Sequence, residues 1–356
     1  MYRYLMLLSI VLAALFSTAL LISTILLPTI LCEQLSKVFP DYWFMWEKAE
    51  NFINIVRPVG HTSLAVVIVL IVVGFILKKW KISFLGSLIL YLPTFSYFAS
   101  TMFFLASIGV LRVLWFPLID LMPGATWSEK VFNVRYILEL GSIVYLPYDI
   151  SVFIVGIAVL PIFLLINPLF PFDEFWEVFF LLSFFVIILI GVAIFFIATI
   201  NWFYGKFTKQ NIVTWGIYRY SRHPQYLGFI LWSYGLLIYD TYVFKPVKGG
   251  YFASPSIIWL TVVMIIIAIA LYEENHMVKI YEEKYIQYMS RTPFLIPLPK
   301  KLENILTYPA KLILKNNRPQ KPLEYLTVFL TYYIILILLS LAYNTTKSIL
   351  TTLLSH

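Results

Sequence analysis

The residue types best suited to chemistry are concentrated in one short stretch, residues 216–228, which reads GIYRYSRHPQYLG. Charged residues make up only 12% of the chain, so the adjacent basic side chains Arg222 and His223 stand out from apolar surroundings. Pro224 follows where the apolar run 226–239 would begin a helix, and proline is well suited to a first helical turn. Arg222 and His223 would then lie beside unpaired helix N–H groups and the positive end of the helix dipole, which favours binding of an anion.

A second polar cluster comes directly after the next apolar run, residues 257–272. It contains Glu273, Glu274 and His276. We expect runs 226–239 and 257–272 to form an antiparallel hairpin, so the start of the first and the end of the second lie at one face of the membrane. The basic pair and the acidic pair are therefore predicted to meet at a single interfacial site.

A tyrosine-rich segment follows the acidic pair. Tyr281, Tyr285 and Tyr288 recur at helical spacing, which places them on one helix face, and Arg291 and Pro293 come after them. Taken singly, each feature also has a structural explanation. Arg222-His223 fits a positive membrane anchor, and Glu273-Glu274 fits a solvated helix end. The three tyrosines fit an interfacial packing face, and Arg291 fits a contact with lipid headgroups. The occurrence of all these features in this order indicates a binding or catalytic site, because a membrane anchor requires only charge and not these particular residue types.

The composition is that of an integral membrane protein. The chain has 356 residues, of which 61% are hydrophobic and 18% aromatic. Several apolar runs approach the roughly 20 residues that a membrane-spanning helix requires. The net charge of +8 comes from basic residues between the runs, which indicates contact with membrane lipids and no nucleic acid. One cysteine excludes an intrachain disulfide, and no metal site is predicted.

The apolar runs predict an all-α, polytopic transmembrane protein with about 8–9 spans and a cofactor pocket on the cytoplasmic face. The count depends on run 82–121, which we interpret as a hairpin of two short spans and alternatively as one kinked helix. Basic residues collect around 78–81, 202–222 and 273–321, whereas loop 167–177 carries acidic residues alone, which places that loop outside. The other predicted spans are 4–31, 62–77, 143–166, 178–201, 226–239, 257–272 and 323–343.

The order of these motifs resembles the membrane methyltransferases of the isoprenylcysteine carboxyl methyltransferase and phospholipid methyltransferase superfamily. The resemblance covers roughly residues 143–299. It divides the chain into an N-terminal transmembrane extension (1–142), a methyltransferase-like core (143–300) and a basic linker with a final span (301–356). The matching residues are Gly216, Tyr218, Arg222, His223, Pro224, Tyr226, Leu227, Gly228, Glu273, Glu274, Tyr285, Tyr288, Arg291, Pro293 and Pro297.

In that family the motifs form a site for S-adenosylmethionine at the cytoplasmic interface. The resemblance implies cofactor contacts from Tyr218, Arg222, His223, Pro224, Tyr226, Leu227, Gly228, Glu273 and Glu274. It also implies catalytic roles for Arg291, His223 and Glu274, and a substrate side formed by Arg291, Tyr285 and Tyr288. The family often has glycine where Glu282 stands and a small apolar residue where Thr292 stands, and both departures concern the substrate side.

The chemistry of S-adenosylmethionine fits these residue types. Its carboxylate suits Arg222 and His223, and its ammonium group or ribose hydroxyls suit the acidic pair. A tyrosine face such as that of Tyr226 can accept its sulfonium cation, and Gly228 would permit a close approach to the helix backbone. Arg291 would orient a carboxylate or phosphate on the methyl acceptor.

The first functional hypothesis is a membrane methyltransferase acting on a lipid or lipidated substrate. A sterol-reductase-like enzyme that uses NAD(P)H is the second, and Glu273-Glu274 disfavours it because adjacent acids would repel the phosphates of NADPH. A non-enzymatic membrane protein or transporter is the third, although the ionisable residues lie near the ends of the runs instead of the bilayer midplane. The sequence leaves the methyl acceptor and the oligomeric state open.

Overall fold

The computed structural model describes residues 2–25, 120–166, 172–243, 256–314 and 318–354, together with isolated positions between 54 and 77. Within the five continuous ranges, every regular element is helical, which confirms the predicted all-α class. The α-helices are α1 (Tyr2–Ile25), α2 (Trp127–Leu138), α3 (Leu146–Ile166), α4 (Phe172–Phe207), α5 (Pro224–Ile238), α6 (Ser256–Arg291), α7 (Lys300–Ile313) and α8 (Pro322–Leu354). Two 3₁₀ helices, Glu139–Tyr145 and Gly216–Arg219, precede α3 and α5.

Five of these elements are long and apolar enough to cross a membrane, which confirms the predicted membrane character of the chain. They correspond to α1, α3 with the residues before it, α4, α6 and α8. Run 82–121 and most of run 62–77 lie outside the described residues, so the number of spans in the N-terminal half stays a prediction.

Helix α5 is shorter than the other apolar helices. Its 15 residues span about 22 Å at 1.5 Å per residue, less than the roughly 30 Å of a bilayer core. The chain continues from α5 into a π-helical turn, Tyr239–Val243. The predicted span 226–239 is therefore a short helix that ends in a change of helical pitch.

Glycines set the close packing of α4 against α5. A Cβ atom on Gly228 would lie 2.6 Å from the backbone nitrogen of Phe195, and a Cβ atom on Gly191 would meet the backbone nitrogen of Trp232. Only residues without a side chain permit helix backbones to approach so closely. This contact fixes the first turn of α5, and therefore the residues that immediately precede it, against α4.

Helix α6 is interrupted at Glu282, whose φ of 43° and ψ of −123° are not helical. The long apolar part of the element, which carries the acidic pair, is thus followed by a separate last segment that ends at Arg291. The interruption lies between Tyr281 and the later tyrosines, Tyr285 and Tyr288, and it changes the direction of the chain there. The expectation that the three tyrosines share one face of a continuous helix is therefore wrong.

The chain forms two compact units. The first contains residues 1–20, 141–238 and 259–356, and the second contains residues 21–140 and 239–258. Within the first unit, α8 is fastened to residues near α3 by a hydrogen bond of 3.1 Å from the backbone nitrogen of Ile143 to Ser340 Oγ. Within the second, Ser256 Oγ donates to the carbonyl oxygen of Leu138 at 2.9 Å. The division at residues 142 and 300 that the sequence suggests stays a prediction.

Candidate active site

The buried carboxylate of Glu274 is the centre of the polar cluster. Its side chain is only 1% exposed. Its Oε1 lies 2.6 Å from Arg222 Nε and 3.3 Å from His223 Nε2, and its Oε2 lies 3.0 Å from Arg318 Nη1. Glu274 thus connects three basic side chains that come from distant parts of the sequence.

Arg222 donates hydrogen bonds to two main-chain carbonyl groups near the end of α6, and these join the start of α5 to that segment. Its backbone N–H donates to the carbonyl oxygen of Pro293 at 3.0 Å, and its Nη1 donates to the carbonyl oxygen of Met289 at 2.8 Å. The expected meeting of the basic pair with the acidic pair is therefore observed. The segment after the interruption in α6 is what closes over Arg222.

Because Glu274 and its partners Arg222 and His223 are buried, the charge of each group is stabilised mainly by the others and not by water. The side chains of Arg222 and His223 are 6% and 9% exposed. Desolvation lowers the pKa of the Arg222 guanidinium from its ordinary value, and the adjacent Glu274 carboxylate opposes that shift. Removal of one partner from a buried ion pair typically costs about 3–5 kcal/mol, because the other charge is left without compensation.

The neighbouring acid, Glu273, has an opposite environment. Glu273 is exposed, and its Oε1 accepts a hydrogen bond of 2.8 Å from the hydroxyl of Tyr226. The Tyr226 ring is stacked with the His223 ring at 5.6 Å and an interplanar angle of 11°, and Phe294 meets His223 edge-on at 5.1 Å. Beside the ion cluster, an accessible carboxylate therefore adjoins an aromatic surface.

The tyrosines support the site by packing and hydrogen bonding. Tyr288 donates to the carbonyl oxygen of Tyr218 at 2.7 Å, and Tyr285 is buried next to Tyr288. Desolvation raises the pKa of the Tyr218 hydroxyl well above its ordinary value, so this group remains protonated at neutral pH. Tyr218 can therefore donate a proton in a hydrogen bond there but does not serve as a base.

The remaining predicted site residues have more varied positions. Pro224 is the buried first residue of α5, and Leu227 is half-buried in its first turn. Gly228 faces α4, so the close approach that it permits in this structure is that of a helix backbone. Arg291 is the exposed last residue of α6. Contact of Pro224, Leu227 and Gly228 with a cofactor stays a prediction. Contact of Arg291 with a substrate also stays a prediction.

Gly216 has a structural reason to be glycine. Its φ is +61°, which side-chain-bearing residues adopt rarely, and a Cβ atom there would meet the side-chain nitrogen of Asn201 on α4. The turn at Gly216 sets the direction in which the second 3₁₀ helix leads into the basic pair.

Sequence reasoning missed Arg318, the third basic partner of Glu274. Arg318 lies between α7 and α8, in a segment whose lysines and arginines predict an anchor on the membrane surface. A single arginine in such a segment carries no signal that it returns to a buried acid. Only the tertiary fold distinguishes it from its basic neighbours.

Comparisons with known proteins give matches to one superfamily. Residues 177–284 match the family described as phospholipid methyltransferase. The chain is 30% identical over 88 residues to Protein-S-isoprenylcysteine O-methyltransferase B of Arabidopsis thaliana, which covers 25% of this chain and 40% of that protein. It is 32% identical over 95 residues to Protein-S-isoprenylcysteine O-methyltransferase of Schizosaccharomyces pombe, which covers 26% and 36% respectively.

The matched part of the chain is limited. The alignments span less than half the length of these two curated relatives. The matched family segment contains α5, the basic pair and the acidic pair, but Tyr285, Tyr288, Arg291 and Arg318 follow it. No solved structure matches the chain.

Proposed function

We propose that the chain is an S-adenosylmethionine-dependent enzyme that methylates a lipid or lipidated acceptor. The proposal is supported by the match of residues 177–284 to the phospholipid methyltransferase family and by the similarity to two isoprenylcysteine O-methyltransferases. The observation that carries the proposal is the ion cluster on Glu274. It joins the two motifs of the matched segment at one site, with Arg222 2.6 Å from the acid. A membrane anchor has no need of a buried salt bridge between the residues that precede α5 and an acid on α6.

The side chains present fit the chemical groups of S-adenosylmethionine. Glu273 is an accessible carboxylate for an ammonium group or ribose hydroxyls, and the surface formed by His223 and Tyr226 suits an adenine ring or a sulfonium cation. Basic groups around Glu274 provide positive charge for a carboxylate. When bound, S-adenosylmethionine supplies a methyl group activated by its sulfonium.

We assign different roles to the two adjacent acids. Both oxygens of Glu274 face basic side chains of the protein, so its role is to orient Arg222, His223 and Arg318. Glu273 is the acid that a ligand can reach. Transfer of a methyl group by direct displacement depends mainly on positioning and on exclusion of water, and the buried cluster provides a rigid frame for both.

The acceptor that we favour is a carboxylate on a prenylated cysteine. The two curated relatives are named for O-methylation of an isoprenylcysteine, and a carboxylate acceptor requires no general base. Exposed Arg291 offers a bidentate partner for such a carboxylate, and equally for the phosphate of a phospholipid. The concentration of basic residues in the segments around the site supports a cytoplasmic location for it.

Calorimetric titration of the purified protein with S-adenosylhomocysteine and with NADPH tests this proposal. We expect S-adenosylhomocysteine alone to bind, because Glu273 is reachable beside the aromatic surface and would repel additional phosphates. Glu273→Gln should weaken that binding about tenfold, the loss expected for one hydrogen bond to a charged group. Tyr220→Phe, which changes an exposed side chain two residues before Arg222, is the control and should bind as the wild-type protein does. Binding of NADPH without S-adenosylhomocysteine would favour the reductase hypothesis.

A further inference from the structure

Arg318 reaches the centre of the site although it lies far beyond the matched segment. Residues 177–284 are the part that the phospholipid methyltransferase family shares, and Arg318 follows α7. Its Nη1 is nevertheless 3.0 Å from Glu274 Oε2. The C-terminal part of the chain therefore contributes a side chain to the cluster that the two motifs form.

The segment that carries Arg318 is fastened to α6. Asn275, the residue after the buried acid, hydrogen-bonds through Nδ2 to the carbonyl oxygen of Pro319 and to the hydroxyl of Tyr325. The Tyr325 hydroxyl also donates to the carbonyl oxygen of Leu271 at 3.5 Å. These contacts hold the backbone on either side of the acid and keep Arg318 beside it.

Exposure distinguishes Arg318 from the other basic partners of Glu274. The Arg318 side chain is 39% exposed, whereas Arg222 and His223 are almost completely buried. Arg222 directs Nε to Glu274 and Nη1 to a backbone carbonyl. A guanidinium has five N–H donors, and among the described residues Arg318 contacts only Glu274 and, at 3.5 Å, the sulfur of Met289. Arg318 is thus the basic group of this cluster that a ligand can reach.

The charges within the cluster do not cancel. Two arginines, Arg222 and Arg318, face the single carboxylate of Glu274, whereas the exposed Glu273 carboxylate is bonded to Tyr226 instead. The positive charge next to Glu274 is therefore not cancelled by a second acid in direct contact with it. Such a site favours an anion, and the planar fork of a guanidinium matches the two oxygens of a carboxylate.

We propose that Arg318 binds the carboxylate of the amino-acid end of the methyl donor, with Glu274 holding the guanidinium in place. This rests on the proposed function, because it requires the donor to be S-adenosylmethionine. The resulting site combines Glu273 for the ammonium end, His223 and Tyr226 for the ring or sulfonium, and Arg318 for the carboxylate. The third of these contacts comes from a segment outside residues 177–284, the part that matches the phospholipid methyltransferase family.

Two ligands that differ only in the carboxylate test the assignment: S-adenosylhomocysteine and its decarboxylated analogue, which keeps the amine. We expect Arg318→Gln to raise the Kd for S-adenosylhomocysteine about tenfold, as for loss of one charge-assisted hydrogen bond. The decarboxylated analogue should bind the variant no more weakly than it binds the wild-type protein. Arg318→Lys, which keeps the charge and loses the fork, should give a smaller loss.

Lys321→Gln is the matched control, because it removes one basic side chain from the same segment, at an exposed position, and should leave both Kd values unchanged. Equal weakening of both ligands by Arg318→Gln would mean that Arg318 only supports the fold, and would overturn the proposal. So would an unchanged Kd for S-adenosylhomocysteine. Absence of binding by the wild-type protein is a different result, since it overturns the proposed function as well.

Discussion

Adjacent residues on a helix can have opposite tasks, and the acidic pair illustrates this. Successive side chains project about 100° apart around an α-helix, so one position can face the helix bundle while the next faces outward. Glu274 points inward to Arg222, His223 and Arg318, whereas Glu273 is exposed and bonded to Tyr226. The pair therefore combines an acid that organises the protein with an acid that is available to a ligand.

The backbone at Glu282 leads to a prediction about stability. A φ of 43° with a ψ of −123° is strained for any residue with a side chain, at a typical cost of about 1–3 kcal/mol. Glycine adopts such angles without that strain, although it loses more entropy on folding. We expect Glu282→Gly to raise the melting temperature in a thermal unfolding experiment, by the equivalent of about 1 kcal/mol.

Glu283→Gly is the control for this change. Glu283 is also exposed and carries the same charge, but its backbone is helical. Glycine in a helix interior costs about 1 kcal/mol, so this variant should have a lower melting temperature. If the two variants were destabilised equally, the backbone of residue 282 would be helical in solution and the interruption of α6 would be contradicted.

Among the helices, the glycine contact of α4 with α5 is what determines where the basic pair lies. The Cβ of Gly228→Ala would collide with backbone atoms of Phe195 at 2.6 Å and 2.8 Å, which cannot rotate away. The helices must separate, and overpacking of this kind costs about 1–3 kcal/mol. We expect Gly228→Ala to lower the melting temperature and to weaken binding of S-adenosylhomocysteine, since Arg222 and His223 precede the displaced turn.

Gly235→Ala provides a matched substitution on the same helix. Its Cβ would first meet a side-chain atom, Ile188 Cγ1 at 2.5 Å, and backbone atoms only beyond 3 Å. Movement of Ile188 can relieve part of this collision, and the position lies near the other end of α5 from the basic pair. A smaller loss of stability and an unchanged ligand affinity are expected. Equal effects at the two positions would mean that backbone contact with α4 does not position the site.

The helices and the central ion pair could be predicted from the sequence for a physical reason. Apolar runs that approach bilayer length must form helices, and a hairpin must bring its two ends together, so Arg222 was expected near Glu274. The interruption of α6 does not follow from the residues around Glu282, because they are good helix formers and tertiary packing overrides their preference. The glycine that the resembled family often has at this position is a signal for such a backbone, although the resemblance connects the departure from it to the substrate side instead. The sequence predicts that Gly228 allows a close approach of the cofactor. In this structure Gly228 allows a close approach of the α4 backbone.

Across the whole molecule, the same ion cluster constrains how the chain crosses the membrane. Arg222 before α5 and Arg318 before α8 both contact Glu274, so the segments that carry them must lie on one side. The concentration of basic residues in 202–222 and 273–321 predicts that this side is cytoplasmic. The first conclusion follows from contacts within the protein, and the second depends on charge alone.

Cysteine labelling can separate these two conclusions. In a Cys32→Ser background, which has no other cysteine, Tyr220→Cys and Lys321→Cys place thiols at exposed positions near Arg222 and Arg318. A membrane-impermeant maleimide should label both from the cytoplasmic side of oriented vesicles. Asp173→Cys lies near the start of α4, within the acidic stretch 167–177, and should be labelled from the opposite side. Labelling of Tyr220→Cys and Lys321→Cys from different sides would contradict the ion cluster itself. Labelling of both from the outside would reverse only the orientation predicted from charge, because the contacts on Glu274 hold equally well in either orientation.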